Sequence, residues 1–278
     1  MKSLKSNPEF SVLLSIYSKE NPLHFNEALV SIWDEQTLKP DEIVLIKDGP
    51  LTPELEQVIN EWKNKLKDKF IVSALEKNEG TGRAKNYGLQ LCNYDYVAIM
   101  DADDISTPDR FEKQINYLKE HPEIVVLGGQ LIEFKDYKNN YISQRTVPLT
   151  QNEILSYSKK SSPFNHATSI YKRKNILKVG GYQHHLLMED YNLWIRVLAA
   201  GYQVANLPDV VLYVRSDGMH GRRRGWIYLK GEWQLFRLKR ELKFQSFLPA
   251  FTLFVMRSSV RLLPASLLQK VYNLIRKK

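Results

Sequence analysis

The segment YDYVAIMDADD, residues 94–104, places an apolar run directly before three aspartates in four residues. A short run of branched and aromatic residues predicts a buried strand. In an open α/β sheet, ligands bind beyond the carboxyl ends of the strands, so Asp101, Asp103 and Asp104 would lie at a binding edge. Their carboxylate oxygens suit Mg²⁺ or Mn²⁺, whose other positions a diphosphate can fill. The segment therefore predicts a sheet with a metal and phosphate site, although Asp104 could instead start the next helix together with Ser106.

The first 135 residues repeat this pattern, because short β-branched runs alternate with amphipathic helical patterns. Such alternation predicts βα units around a mostly parallel, Rossmann-like sheet, and hence an α/β fold. The predicted strands are residues 10–16, 42–46, 69–74, 94–100 and 124–127, and the predicted helices are residues 26–33, 53–66, 83–91 and 108–118. Two helices should begin with a cap followed by proline, at Thr52-Pro53 and at Ser106-Thr107-Pro108. Beyond residue 135 we predict a helix at 189–200 and short strands at 167–171 and 210–214.

The composition fits one large folded domain with an appendage. The chain has 278 residues, of which 43% are hydrophobic and 26% charged, so it is neither disordered nor fibrous. Its single cysteine, Cys92, permits no intrachain disulfide and fits folding in a reducing cytoplasm, with Cys92 as a small core residue. Residues 1–10 are polar and lack the apolar core of a signal peptide. We therefore expect a cytoplasmic protein with a body at residues 1–217 and a tail at residues 218–278.

The net charge of +9 is concentrated in that tail, which holds 14 Lys/Arg against 2 Asp/Glu. The body is slightly acidic, so the charge does not indicate a nucleic-acid partner. Two apolar runs in the tail, residues 244–256 and 262–268, are shorter than the roughly 20 residues that cross a bilayer, and each contains a proline. These features predict an amphipathic helical tail that associates with an anionic membrane surface. The alternative is a C-terminal helix packed on the body with a solvated basic face.

Two further strand exits and one glycine loop supply the other candidate ligands. The first predicted strand ends at Ser15-Ile16-Tyr17, and the second is followed by Asp48, which could also be a helix cap or a turn. Between the third and fourth strands lies NEGTGRAKN, residues 78–86. Its glycines allow close backbone approach, the following helix offers free N–H groups, and Arg83 and Lys85 add positive charge, all of which suit a phosphate. The loop lacks the Gly-Lys-Ser/Thr ending of a Walker loop.

With the run at residues 28–33 ahead of Gln36, and with Glu189-Asp190, these motifs resemble the family 2 glycosyltransferases of GT-A fold. The similarity covers about residues 9–217 and is to enzymes that build bacterial exopolysaccharide (amylovoran-type), capsule or O-antigen. It implies an inverting enzyme that moves a sugar from a nucleotide-sugar, a UDP-sugar, to an undecaprenyl-linked oligosaccharide at the inner face of the cell membrane. It also fits a nucleotide half at about residues 1–135 and an acceptor half at about residues 136–217.

The resemblance implies a role for each candidate residue. Nucleotide-sugar contacts would come from Ser15, Tyr17, Asp48, Gly80, Arg83 and Asp101. Asp103 would ligate Mn²⁺ or Mg²⁺, Asp190 would be the general base, and Glu189, His166 and Gly181 would line the acceptor pocket. Lys47 departs from the family, which often has an acidic residue there. The processive members carry a Gln-Xaa-Xaa-Arg-Trp motif that this sequence lacks, so we expect one sugar per encounter.

Two other function classes share part of this pattern. A sugar-1-phosphate nucleotidyltransferase has a similar layout and metal aspartates, but its first loop is glycine-rich, whereas this chain has Ser15-Ile16-Tyr17-Ser18. A non-catalytic protein that binds a membrane surface or a nucleic acid is the third class, and only the basic tail argues for it.

Overall fold

The computed structural model describes residues 7–135, 137–216 and 225–261. Within them, the strands are β1 (Phe10–Ile16), β2 (Glu42–Lys47), β3 (Phe70–Ala74), β4 (Tyr96–Ile99), β5 (Ile105–Ser106), β6 (Ile124–Lys135), β7 (Tyr137–Arg145), β8 (Ile170–Lys172) and β9 (Gln203–Arg215). The α-helices are α1 (Pro22–Ile32), α2 (Pro53–Leu66), α3 (Thr81–Leu91), α4 (Arg110–Glu120), α5 (Gln151–Ser158), α6 (Arg173–Lys178), α7 (Glu189–Ala199), α8 (Trp226–Glu241) and α9 (Phe247–Arg261). Short 3-10 turns lie at Lys67–Lys69 and His166–Thr168.

The strands form one mixed sheet in the order β3-β2-β1-β4-β8-β6-β9-β5, with β7 paired to β6. Neighbours among β3, β2, β1 and β4 are parallel, and β9 is parallel to β6. The central β8 is antiparallel to both β4 and β6, so the two parallel groups point the same way. The predicted α/β fold with a mostly parallel sheet is confirmed.

Apolar side chains fill both faces of the sheet. Along β1, Phe10, Val12, Leu14 and Ile16 lie in one core cluster, whereas Leu13 lies in the other. Successive side chains of a strand point to opposite faces, so a strand covered by helices on both sides reads as a continuous apolar run. This is why β1 could be located from sequence to the residue.

Several local predictions were also correct. The side chain of Thr52 accepts a hydrogen bond from the Leu55 N–H and caps α2. Cys92, predicted as a small core residue, is buried. Burial, followed by the charge of Glu42, raises the pKa of the Cys92 thiol to about 12, which fits an inert core residue.

The prediction was wrong around residues 104–109. Ser106 lies in β5 rather than in a helix cap, and its N–H donates to the Ser31 hydroxyl. Asp104 is buried and accepts a hydrogen bond from the Arg215 N–H at the end of β9, so it does not start a helix. The helix α4 begins only at Arg110. A cap-like sequence was recruited into the sheet because β9, more than 100 residues later, supplies partners that a local reading does not see.

In the described part of the tail, α8 and α9 form a helical hairpin. Leu235 of α8 packs against Met188, Tyr191 and Ile195 at the start of α7. Arg257 of α9 forms an ion pair with the buried Glu232 of α8 at 2.6 Å. Part of the predicted tail, residues 217–224 and 262–278, lies outside the described residues. In the described part of the chain, no helix is both long and apolar enough to span a bilayer.

Candidate functional site

An open cleft of about 480 Å³ lies at the carboxyl ends of β1, β2 and β4. Nine of the eleven residues predicted for the site line it: Ser15, Tyr17, Asp48, Gly80, Asp101, Asp103, His166, Glu189 and Asp190. The two that do not are Arg83 and Gly181. The cleft thus joins residues from three strand exits to residues more than 60 positions later in the chain.

Asp48 holds the glycine loop in place. Its two carboxylate oxygens accept hydrogen bonds from the N–H groups of Glu79, at 2.7 Å, and Gly80, at 3.0 Å. Gly49 turns the chain here with φ +88°, and a Cβ at Gly49 would lie 2.7 Å from the Asn78 nitrogen. Both readings of Asp48 therefore find support in the structure, since it orders a turn and also borders the cleft. Its contact with a nucleotide stays a prediction.

The positive charge in the cleft belongs to Lys85 rather than to Arg83. The Lys85 side chain is 1% exposed, and its Nζ lies 2.6 Å from Oδ1 of Asp101. Arg83 is mostly exposed and pairs with Glu79 at 3.3 Å. The helical period could have separated them, because Lys85 shares the buried face of α3 with Ala84, Gly88 and Leu89.

The charge of Asp101 is stabilised from two sides. Burial alone would raise the pKa of the Asp101 carboxyl, but the Lys85 ammonium and, more weakly, the Arg110 guanidinium hold it below its ordinary value. Arg110 lies buried beneath the aspartates, where its guanidinium donates to the carbonyl oxygens of Ile99 and Ala167. Burial lowers the pKa of Arg110 to about 9, so it remains a cation at neutral pH. Nothing in the sequence marked Arg110.

The other carboxylates in this part of the cleft repel one another. Burial and the charge of Asp101 raise the pKa of Asp103 to about 6. Burial and the charges of Asp103 and Asp101 raise the pKa of Glu20 to about 7. Sequence reasoning missed Glu20, which lies beyond the exit of β1 and borders the cleft. A cation bound at this edge would offset the repulsion among these carboxylates.

These residues fit a metal held partly by the substrate. Among the residues that the structure describes, no group of three or more His, Cys, Asp or Glu side chains is arranged to hold a metal ion. Magnesium in phosphate-transfer sites is commonly bound by one or two carboxylates together with substrate phosphates and water. Asp103, with Asp101 beside it, provides such an incomplete set, and the repulsion among the carboxylates favours a cation there.

The cleft is also lined by Glu189 and Asp190, which lie in the first turn of α7. A helix N-terminus stabilises an ionised carboxylate. The Ser162 hydroxyl donates to Oδ2 of Asp190 at 3.4 Å. Burial raises the pKa of Glu189, and an added Cβ at Gly82 would lie 3.2 Å from the Glu189 side chain, so α7 closely approaches the start of α3.

His166 belongs to a hydrogen-bonded group of aromatic side chains that borders the cleft. Its Nε2 lies 2.8 Å from the Tyr182 hydroxyl, which is 3.3 Å from the Tyr171 hydroxyl. Burial, and then the charge of Lys85, lower the pKa of His166 to about 4, so the imidazole is neutral near pH 7. Gly181 instead packs against α3: its φ is +59°, and a Cβ would lie 2.1 Å from Oδ1 of Asn86. An acceptor role for Gly181 stays a prediction.

Comparisons with known proteins point to one family. The chain matches the family described as glycosyl transferase family 2 over residues 11–180, and glycosyl transferase family group 2 over residues 96–273. The amylovoran biosynthesis glycosyltransferase AmsE of Erwinia amylovora is 44% identical, over 96% of this chain and 99% of that protein. UDP-Gal:alpha-D-GlcNAc-diphosphoundecaprenol beta-1,3-galactosyltransferase of Escherichia coli is 37% identical, over 96% of each chain.

Two solved structures share the fold. S. aureus TarS 1-349 in complex with UDP has a TM-score of 0.63 at 20% identity, covering 91% of this chain and 71% of that chain. The mannosyltransferase PcManGT from Pyrobaculum calidifontis, in complex with GDP-Man and Mn2+, has a TM-score of 0.63 at 17% identity, covering 99% of this chain and 82% of that chain.

Proposed function

The chain belongs to glycosyl transferase family 2, and from this membership and the cleft we propose that it transfers one sugar, with inversion, from a UDP-sugar to an undecaprenyl-linked oligosaccharide. It is a glycosyltransferase of the type that builds exopolysaccharide, capsule or O-antigen. The names of its relatives support the finer assignment, since one is an amylovoran enzyme and another uses UDP-Gal and a diphosphoundecaprenol acceptor. The TarS fold, which binds UDP, is consistent with the same donor.

The observation that carries the proposal is that one cleft brings together residues from both halves of the body. We call the residues from the first half of the body the donor side: Ser15, Tyr17, Asp48, Gly80, Lys85, Asp101 and Asp103. We call the residues from the second half the acceptor side: His166, Leu187, Glu189 and Asp190. The two groups correspond to the predicted nucleotide half at about residues 1–135 and acceptor half at about residues 136–217.

On the donor side, this chain would bind the nucleotide diphosphate and neutralise it as it leaves. The Lys85 ammonium and the N–H groups at the start of α3 face the cleft, where negative charge develops on the diphosphate. Asp103, with Asp101, would hold Mn²⁺ or Mg²⁺. Such a cation supplies electrostatic stabilisation of the leaving group.

On the acceptor side, we assign Asp190 as the general base. Its carboxylate borders the same cleft as Asp101 and Asp103 and would take the proton from the acceptor hydroxyl as that oxygen attacks the anomeric carbon. Attack from the side opposite the leaving diphosphate inverts the anomeric configuration. Glu189 and the neutral His166 would contact the acceptor sugar.

The test of this function uses the purified full chain with Mn²⁺, UDP-, GDP- and dTDP-sugars and a synthetic polyprenyl diphosphate-linked sugar. We expect UDP release that depends on the acceptor. We also expect NMR of the product to show that the anomeric configuration of the new linkage is inverted relative to the donor. Nucleoside triphosphate formation from pyrophosphate would instead identify a sugar-1-phosphate nucleotidyltransferase. The absence of any turnover would favour a non-catalytic membrane-surface protein.

We also propose that the hairpin of α8 and α9 docks on the anionic inner face of the cell membrane. Its support is the charge of the tail and the apolar side chains that α9 exposes, which include Phe247, Leu248, Phe251 and Met256. Each Lys or Arg near an anionic lipid surface contributes about 1 kcal/mol to binding. Exposed apolar side chains that insert into the membrane strengthen the binding further. Such docking would bring the cleft to a lipid-linked acceptor.

Vesicle sedimentation tests this docking with a matched pair of variants. Leu248 is 71% exposed on α9, and Leu23 is 74% exposed on α1 of the body. We expect the full chain to bind vesicles of phosphatidylglycerol and phosphatidylcholine less tightly as salt increases, Leu248→Glu to weaken binding, and Leu23→Glu to leave it unchanged. Equal effects of the two substitutions would contradict the assignment.

A further inference from the structure

The loop at residues 182–188, which leads into Glu189 and Asp190, is held by α8. The Leu186 N–H donates to Oε1 of Gln234 at 3.0 Å. Nε2 of His185 lies 2.9 Å from the Gly231 carbonyl oxygen. The loop is therefore fixed by residues 46 and 48 positions later in the chain.

These contacts determine the tautomer of His185 and extend into α7. A carbonyl oxygen can only accept, so Nε2 of His185 donates and Nδ1 accepts from the Asn192 amide at 3.0 Å. The Asn192 oxygen accepts from Nε of Arg196 at 2.7 Å, and Arg196 donates to the Gly181 carbonyl at 2.6 Å. Burial lowers the pKa of His185, which favours this neutral form. One hydrogen-bonded chain thus links α8, the loop and α7.

Gly231 allows α8 to lie directly on this loop. A Cβ at Gly231 would lie 2.5 Å from the carbonyl oxygen of Leu186, a backbone atom. Glycine inside a helix costs roughly 0.5 to 1 kcal/mol relative to alanine, so its place within α8 is explained by the close approach and not by helix formation.

Leu187 has an unfavourable backbone conformation at the cleft. Its φ is +63°, a region that residues with a branched side chain rarely enter, and its side chain is 48% exposed while lining the cleft. Both neighbours are fixed against α8, Leu186 by Gln234 and Met188 by Leu235. Such strain persists only where surrounding contacts impose it, and it concentrates at functional sites.

We propose that α8 positions the acceptor side of the cleft. Gly231 and Gln234 hold the 182–188 loop so that Leu187 lines the acceptor side and Asp190 faces the acceptor hydroxyl. This inference rests on the proposed function. The donor-side residues share the cleft with this loop, but they come from strand exits and the start of α3. In the described contacts, none of them is hydrogen-bonded to α8. Loosening α8 should therefore impair use of the acceptor and spare donor binding.

The substitutions that test this act on the two contacts separately. Gly231→Ala introduces the Cβ that would displace Leu186. Gln234→Leu removes the side-chain oxygen that accepts the hydrogen bond from the Leu186 N–H, whereas Gln234→Glu keeps an oxygen at that place. Glu241→Ala, at an exposed position near the end of α8, is the matched control for an alanine substitution in this helix.

The assay uses the full chain in solution with a short-chain, water-soluble polyprenyl diphosphate sugar, so that membrane binding does not enter. We expect Gly231→Ala to lower kcat/KM for the acceptor by roughly tenfold to a hundredfold, because small misplacements of reacting groups have effects of this size. Gln234→Leu should act in the same direction, Gln234→Glu should recover most of the loss, and the Kd for UDP should stay within about twofold of wild type. Hydrogen exchange of the Leu186 amide should accelerate in Gln234→Leu.

Wild-type acceptor kinetics in both Gly231→Ala and Gln234→Leu would overturn the inference, as would equal losses in donor and acceptor binding. A wild-type chain that transfers no sugar to the lipid-linked acceptor would instead count against the proposed function. In that case unchanged exchange of the Leu186 amide in Gln234→Leu would still refute the contact between α8 and the loop, so the two failures are distinguishable.

Discussion

On the donor side of the cleft, the side chains lie at the ends of β1, β2 and β4 and at the start of α3, whereas on the acceptor side they lie on a loop and the first turn of α7. The donor side is fixed by the sheet itself, since β1 pairs with both β2 and β4 over most of its length. The acceptor side depends on contacts with α8, which is part of the tail. The comparison teaches that the donor side is positioned by strand pairing and the acceptor side by contacts between a loop and helices, and it predicts that substitutions on one side leave binding at the other unchanged.

The largest expected effect is at the aspartate that would bind the metal. Asp103→Asn, or EDTA treatment of the wild type, should lower turnover by roughly 10³-fold or more, because several kcal/mol of charge stabilisation at the leaving group is lost. Enzyme assays and thermal unfolding check this together, and the variant should stay folded because asparagine keeps the shape of the side chain. Asp95→Asn, exposed at the other end of β4, is the control. Full activity in EDTA would show that the reaction needs no metal.

The next largest effect should come from the acceptor side. Asp190→Asn should lower kcat by about 10² to 10⁴ and leave the donor Kd unchanged, because the lost group acts on the acceptor hydroxyl. Steady-state kinetics and UDP titration separate the two quantities. A higher Kd for the donor with an unaltered kcat would indicate that Asp190 contacts the donor, which would contradict its assignment to the acceptor side.

A smaller effect distinguishes the two cations of the glycine loop. Lys85→Met should weaken UDP binding by roughly tenfold or more, since hydrogen bonds to charged groups contribute about 1.5 to 3 kcal/mol. Arg83→Met removes an exposed cation whose ion pair contributes little and should change the Kd by less than about threefold. Calorimetric titration with UDP measures both. The reverse order of effects would restore the assignment of the nucleotide contact to Arg83.

The smallest effect concerns stability rather than turnover. Burial, and then the charge of Arg257, lower the pKa of Lys239 on α8 to about 7, although Glu232 opposes this; the ammonium group donates to the Lys159 carbonyl and the Tyr191 hydroxyl. The unfolded chain therefore binds more protons than the folded one between pH 7 and about 10, so this residue makes folding stability rise with pH in that window.

Urea unfolding at pH 7 and pH 9 checks this. The gain in free energy of unfolding from pH 7 to pH 9 should be larger in the wild type than in Lys239→Met by about 1 to 3 kcal/mol. Lys230→Met, exposed on the same helix, should keep the wild-type gain. Identical gains in the wild type and Lys239→Met would show that folding does not lower the pKa of Lys239.

The donor side was easier to predict from sequence than the acceptor side. The residue order alone placed Ser15, Asp48 and Asp101 at strand exits, and parallel strands necessarily bring such exits to one edge. Glu20 was missed because no motif marks it, and the resemblance placed Arg83 at the nucleotide although Lys85 has the buried position. The two residues lie within one helix turn, where the motif gives the residue types and only the helical period separates the buried Lys85 from the exposed Arg83. The contact of Arg83 with a nucleotide stays a prediction.

By itself, the sequence determined the α/β fold, the family and the edge of the sheet where the cleft lies, because those depend on apolar periodicity and on residues close in the chain. Only the tertiary structure decided that Ser106 belongs to β5, that Arg110 lies beneath the aspartates, and that α8 supports the loop before Asp190. Each of these depends on a partner dozens of residues away. Ser106 pairs with β9, Arg110 donates to the carbonyl of Ala167, and His185 donates to the carbonyl of Gly231. The sequence around these three residues carries no sign of those partners. Local sequence fixes which groups seek a partner, and the packing of distant elements fixes which partner each one finds.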